Sequence, residues 1–153
     1  MRLPTALLLL PPLFTTLTAA SITGIALPST LAPSSTIPIT LITTNFIQTV
    51  SDIAIAFGLS PTPALPLNES LGITFLGSKY LGPDESNIAT NITLTLTTPA
   101  GLQKGPAVFN GVLYSLLGAD SLSVLQGFSV NVTVGEEVGG GLVRSGGPVQ
   151  VGG

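Results

Sequence analysis

The sequence predicts an all-β domain, an immunoglobulin-like two-sheet β-sandwich of about seven strands, with a small β-barrel as the alternative. Three observations predict it. Apolar residues recur with a period of two in run after run. Thr fills the second face of several of those runs, as a solvated sheet face requires. Turn-forming clusters separate the runs at short intervals, among them Pro61-Thr62-Pro63, Gly82-Pro83-Asp84 and Pro99-Ala100-Gly101.

The elements follow in order along the chain. Residues 1–20 read as a secretory signal peptide. Arg2 supplies the positive start, Leu7 to Leu10 centre an apolar stretch, and Thr18, Ala19 and Ala20 are small enough for cleavage before Ser21 or one residue later. Pro11-Pro12 and the short apolar run argue against a retained membrane anchor. A first strand is expected over 22–27. Ile37, Ile39 and Leu41 alternate with Pro38 and Thr40 in a second. Ile53, Ile55 and Phe57 alternate with Ala54 and Ala56 in a third. A fourth is expected over 73–79. Ile92, Leu94 and Leu96 alternate with Thr93, Thr95 and Thr97 in a fifth. A sixth covers 108–116, where Tyr114 is expected as a structural tyrosine. Phe128, Val130, Val132 and Val134 alternate with Ser129, Asn131 and Thr133 in the last. The sandwich domain thus spans 21–135. Glycines dominate 136–153, which is expected to be a flexible tail, since glycine loses the most freedom on ordering. Val138, Leu142, Val143 and Val149 are the only features that would make it a binding peptide rather than a passive tail.

The chain has no His, Cys or Trp, and only 7% of its residues are charged. No imidazole base, thiol nucleophile or common transition-metal ligand is therefore at hand. A stable exported domain without disulfides needs a good core, and roughly 115 residues rich in Ile, Leu and Val suffice. After loss of Arg2, Lys79, Lys104 and Arg144 face seven acids, a net charge near −4. That excludes a basic stripe for nucleic acid. Asp84-Glu85 and Glu136-Glu137 are adjacent carboxylates, whereas a glycosidase needs two facing each other across a cleft. Asp52, Glu69 and Asp120 do not supply the missing partner by spacing. Asp84, Glu85, Ser86 and Asn87 are oxygen-bearing, but a turn after Gly82-Pro83 explains them without Ca²⁺. Ser78-Lys79 and Gly139-Gly140-Gly141 lack the context of a catalytic dyad or a phosphate loop. The expectation is a non-enzyme with no cofactor and no metal.

Three sequons stand out: Asn68-Glu69-Ser70, Asn91-Ile92-Thr93 and Asn131-Val132-Thr133. Asn91 and Asn131 fall on the polar side of their strands, and Asn68 lies in a Pro-rich loop, so all three are glycosylation candidates. Aromatic residues are sparse, which favours a protein partner over a carbohydrate. Asn45, Gln48, Tyr80 and Asn87 sit in loops or at strand ends, where they offer adaptable hydrogen bonds around apolar contacts. They are the candidate partner contacts.

The ordered set Ile22-Thr23-Gly24-Ile25 with Pro33, Asn45-Phe46-Ile47-Gln48-Thr49-Val50-Ser51-Asp52, Tyr80-Leu81-Gly82-Pro83, Ser86-Asn87, Asn91-Ile92-Thr93 and Asn131-Val132-Thr133-Val134-Gly135 resembles the necrosis-inducing secreted protein family of filamentous fungi. The likeness covers most of 21–135 and leaves out the glycine-rich segment. It implies a secreted effector that suppresses pattern-triggered plant immunity by binding receptor-like kinases or their cytoplasmic kinase partners. A cytoplasmic partner further implies translocation into host cells. A cell-wall or adhesive structural module is the alternative function.

Overall fold

The computed structural model describes residues 19–152, and within them every regular element is a strand. Most of the expected signal peptide lies outside the described residues. Nine strands follow in chain order: β1 (Ala19–Leu31), β2 (Thr36–Phe46), β3 (Val50–Pro61), β4 (Thr74–Tyr80), β5 (Ile92–Thr97), β6 (Gly105–Leu117), β7 (Leu122–Val134), β8 (Gly139–Arg144) and β9 (Val149–Gln150). The first seven coincide with the seven expected runs, and most are longer than the alternating pattern alone indicated.

The hydrogen-bonded order is β4-β3-β6-β7-β1-β2-β5. β1 pairs antiparallel with β2 over most of its length, then meets β7 in parallel at Thr30 and Leu31. It thereby joins two antiparallel layers, β4-β3-β6-β7 and β5-β2-β1. The outer strands β4 and β5 lie close, since a Cβ on Gly77 would stand 3.4 Å from Leu96. The sandwich and the small barrel therefore differ here only by the ladder missing between β4 and β5.

The core forms because one phase of each strand is aliphatic or aromatic. Ile25 and Leu27 from β1, Ile37, Ile39 and Leu41 from β2, Ile55 and Phe57 from β3, Phe109 and Leu113 from β6 and Phe128 from β7 are all fully buried in one cluster. Phe57 and Phe109 meet with ring centroids 5.7 Å apart. Each such side chain contributes roughly 1.5–3 kcal/mol through burial, which explains how the domain dispenses with disulfides.

The segment 136–153 was expected as a flexible tail, but its described part carries two strands that join the sheets. β8 pairs antiparallel with β1 from Ala26 to Thr30, and β9 pairs with β7 at Gln126 and Gly127. Val138 and Val143 pack against the core. The Ser145 N–H donates to the Ile25 carbonyl at 2.9 Å, and its Oγ accepts the Ile25 N–H at 3.0 Å. Lys104 pairs with Glu136 at the entry to the segment. Part of the glycine content is steric. Gly140 has φ +79°, and a Cβ there would strike Ser29.

Candidate functional site

Three connections share one end of the domain with the start of β1: the β2–β3 turn (47–49), the β4–β5 loop (81–91) and the β6–β7 turn (118–121). Backbone bonds tie them together. The Gly118 N–H reaches the Thr49 carbonyl at 2.9 Å, and the N–H groups of Leu81 and Gly82 both reach the Ile53 carbonyl, at 2.9 and 3.2 Å. Because β4 stops at Tyr80, the loop that follows runs on beside β3. There the Ser86 Oγ accepts the Asp52 N–H at 2.7 Å. The Asn87 Oδ1 accepts the Ala20 N–H at 2.6 Å, from the first strand of the other layer. Asn87 is held with φ +56°, a conformation that Asn tolerates better than most residues.

This end gathers all four candidate contact residues. Asn45 lies near the end of β2, opposite Ala20 of β1. Gln48 is exposed in the β2–β3 turn. Tyr80 is 68% exposed at the end of β4. Asn87 is exposed in the β4–β5 loop. Tyr80 and Asn87 also border a pocket of about 420 Å³, together with Ile53, Pro83, Ser86 and Leu116. Its lining is mixed, with Ser51, Asp52, Ser86 and Asn87 beside Val50, Ile53 and Leu116, which suits a mixed side-chain contact.

Three features of this end were missed in the sequence. Ile47 is 97% exposed between Phe46 and Gln48, so an aliphatic side chain stands at the tip of the turn. An apolar residue in an otherwise polar turn was its only signal. The second feature is a row across four strands. Cross-strand register places Tyr80 opposite Ala54, Ala54 opposite Tyr114, and Tyr114 opposite Leu125. Residues opposite one another share a face. Tyr114, expected as a structural tyrosine, is on the solvent side, where its hydroxyl lies 3.2 Å from the Ser123 Oγ. A second pocket of about 280 Å³ continues the row past Tyr114 and Leu125 to Gln150 and Val151.

The third is Asp52, which is 2% exposed. The Ser115 hydroxyl donates to its Oδ1 at 2.6 Å. Burial raises its carboxyl above the ordinary aspartate value of 3.8, and the bond from Ser115 offsets part of that rise. The other acids are dispersed. Glu85 pairs with Lys79 at 3.0 Å, and Glu136 with Lys104. Among the described residues, no three His, Cys, Asp or Glu side chains gather at metal-binding spacing. Among the same described residues, no helix is long and apolar enough to cross a membrane.

The sequons occupy different surfaces. Asn68 is exposed in the β3–β4 loop. Asn91 is exposed, and its Oδ1 accepts the Thr43 N–H at 3.0 Å. Asn131 is exposed on β7, opposite Val108.

Comparison with known proteins decides the family. The Nis1 family model matches residues 18–133. The chain belongs to the Nis1 family. Necrosis-inducing secreted protein 1 of Colletotrichum higginsianum (strain IMI 349063) is 50% identical to it over 116 residues, which cover 76% of this chain and 79% of that relative. Necrosis-inducing secreted protein 1 of Colletotrichum orbiculare (strain 104-T) is 44% identical over 130 residues, 84% of this chain and 78% of that relative. As a Nis1 protein the chain is a secreted fungal effector. The family match begins just before β1 and ends within β7, so it contains the whole loop end, while β8 and β9 lie beyond it.

Proposed function

We propose that this effector acts without chemistry of its own. It binds plant receptor-like kinases, or the cytoplasmic kinases associated with them, and so suppresses pattern-triggered immunity. The observation that carries the reading is the convergence of Asn45, Gln48, Tyr80 and Asn87 at one end, beside the exposed Ile47. Apolar anchors ringed by amide side chains are the make-up of a protein interface, and tyrosine is among the residues that dominate such interfaces. A cytoplasmic kinase would be reached after translocation into the host cell. The signal peptide over 1–20, and glycans on Asn68, Asn91 and Asn131, belong to the same reading. All three asparagines are solvent-facing, and none lies in the four-residue contact set.

The domain beginning at Ser21 should enrich a receptor-like kinase or an associated kinase from plant extract. Repeated failure to enrich any kinase sinks the reading. Intact mass before and after glycan removal tests the leader and the sequons in one measurement.

One observation favours the cell-wall or adhesive reading. Tyr80 and Tyr114 lie in one row of a sheet face, and exposed rings on a common plane stack on sugar faces. Sedimentation with insoluble chitin, glucan or cellulose separates the two, since a kinase binder stays in the supernatant.

A further inference from the structure

The loop end contains a segment that processing would remove. Ala19 and Ala20 open β1, and they pair with Phe46 and Asn45 of β2. They are not a frayed terminus. Ala20 is only 1% exposed, and its N–H donates to the Asn87 Oδ1 at 2.6 Å. On its other side the end of β2 has no strand beside it, because pairing with β5 stops at Leu41 and Ile92. Among the described residues, β1 is thus the only ladder that holds Asn45 and Phe46.

A leader cut before Ser21 hydrolyses the Ala20–Ser21 peptide bond. One water is consumed, a carboxylate leaves on Ala20, and Ser21 keeps a free ammonium. The consequences are local and structural. Asn45 and Phe46 lose their cross-strand partners. The Asn87 Oδ1 loses its donor. The space filled by the Ala20 methyl opens. An unpaired strand edge facing a free side-chain acceptor is the arrangement that takes up an extended peptide by strand addition.

We infer that removal of the leader creates a slot between Asn45-Phe46 and Asn87, and that its occupant is an extended main-chain segment of the partner with an alanine-sized residue at the former Ala20 position. This rests on the protein-binding reading above and narrows it to backbone recognition. It also gives Asn45 and Asn87 a shared role, as the two walls of one slot.

The first measurement is the amino terminus of the secreted protein, which should begin at Ser21. A mature chain that still carries Ala20 overturns the inference, because the slot is then filled by the chain itself. The second uses isotopically labelled protein beginning at Ser21, titrated with the capped tetrapeptide acetyl-Leu-Thr-Ala-Ala-amide, which copies residues 17–20. Saturable shifts are expected at the backbone amides of Asn45 and Phe46 and at the Asn87 side-chain amide. A chain beginning at Ala19 should bind about tenfold more weakly or not at all, the size expected for a lost hydrogen-bonded contact. Asn87→Gly keeps the backbone conformation but lacks the acceptor, and it should lose the response. Asn87→Asp keeps an oxygen there and should retain it. Equal titration of the Ser21 and Ala19 chains overturns the slot. So does a dimer of the Ser21 chain in sedimentation, which would make a second copy the occupant. Kinase enrichment that persists when the peptide fails removes the slot and leaves the protein-binding reading standing.

Discussion

The two layers share one core but turn opposite kinds of surface outward. Across β5 and β2 the register places Thr97 opposite Thr36, Thr95 opposite Pro38, and Thr93 opposite Thr40. That face is small, hydroxylated and solvated. Across β4, β3, β6 and β7 the outward row is Tyr80, Ala54, Tyr114 and Leu125, with Phe75 exposed further along β4. Threonine pairs stabilise a sheet and suit water on their far side. Apolar and aromatic side chains left exposed on an isolated domain remain available to a partner. The difference between the faces separates what folds the protein from what the protein presents.

The comparison breaks most completely when the shared core goes. Phe57→Ala should cost about 3–5 kcal/mol by denaturant unfolding, because it leaves a cavity beside Phe109 where both layers meet. Both faces should then be lost in one transition. Smaller is Gly58→Ala, expected to cost about 1–3 kcal/mol, since a methyl there on the aromatic layer would overlap the Leu71 backbone carbonyl as well as its side chain. A loss this large without change on the threonine layer, seen in hydrogen exchange, would show that the outer packing is local.

Asp52 gives a pH-dependent prediction. Its folded carboxyl is raised above 3.8, so over a window above that value the folded state keeps a proton that the unfolded chain has released. Stability should therefore decline as pH rises from about 3.8 through the raised value, then level off. Asp52→Asn keeps an oxygen for the Ser115 hydroxyl and should abolish this decline, which makes the variant at least as stable as the parent at neutral pH. A parent whose stability rises through that window contradicts the burial argument.

The last contrast is the smallest in stability and the most telling for function. Thr95→Ala should cost about 0.2–1 kcal/mol and leave binding untouched. Tyr80→Ala should change stability by no more than about 0.5 kcal/mol yet weaken partner binding by more than about 1 kcal/mol.

Much of the fold was legible because alternation in several strands is unambiguous. Ile37, Ile39 and Leu41 against Pro38 and Thr40 leaves one possible inner face. In β6 both phases are apolar. Phe109 and Leu113 face in, while Val112, Tyr114 and Leu116 face the other way, so period alone could not say which side Tyr114 takes. Asn110 is on the outward phase but is buried, because the β3–β4 loop folds over it and its amide donates to the Leu71 carbonyl at 2.9 Å. No local pattern announces a loop from elsewhere in the chain. β8 was hidden for a different reason. Glycine composition suggests disorder, but the edge of β1 supplies backbone partners, and Gly140 is shaped by its contact with Ser29. For the site, each of Asn45, Gln48, Tyr80 and Asn87 was legible as a strand-end or loop residue. Their shared end was not, since it depends on the strand order.

The central proposal is that the loop end, with Tyr80 at its edge, does the binding while the threonine layer does not. The most direct test compares Ile47→Asp, Tyr80→Ala and Thr95→Ala forms of the mature domain in kinase enrichment from plant extract, at matched folded concentration. The account predicts strong loss for the first two and none for the third. Equal enrichment by all three, or loss confined to Thr95→Ala, would contradict it.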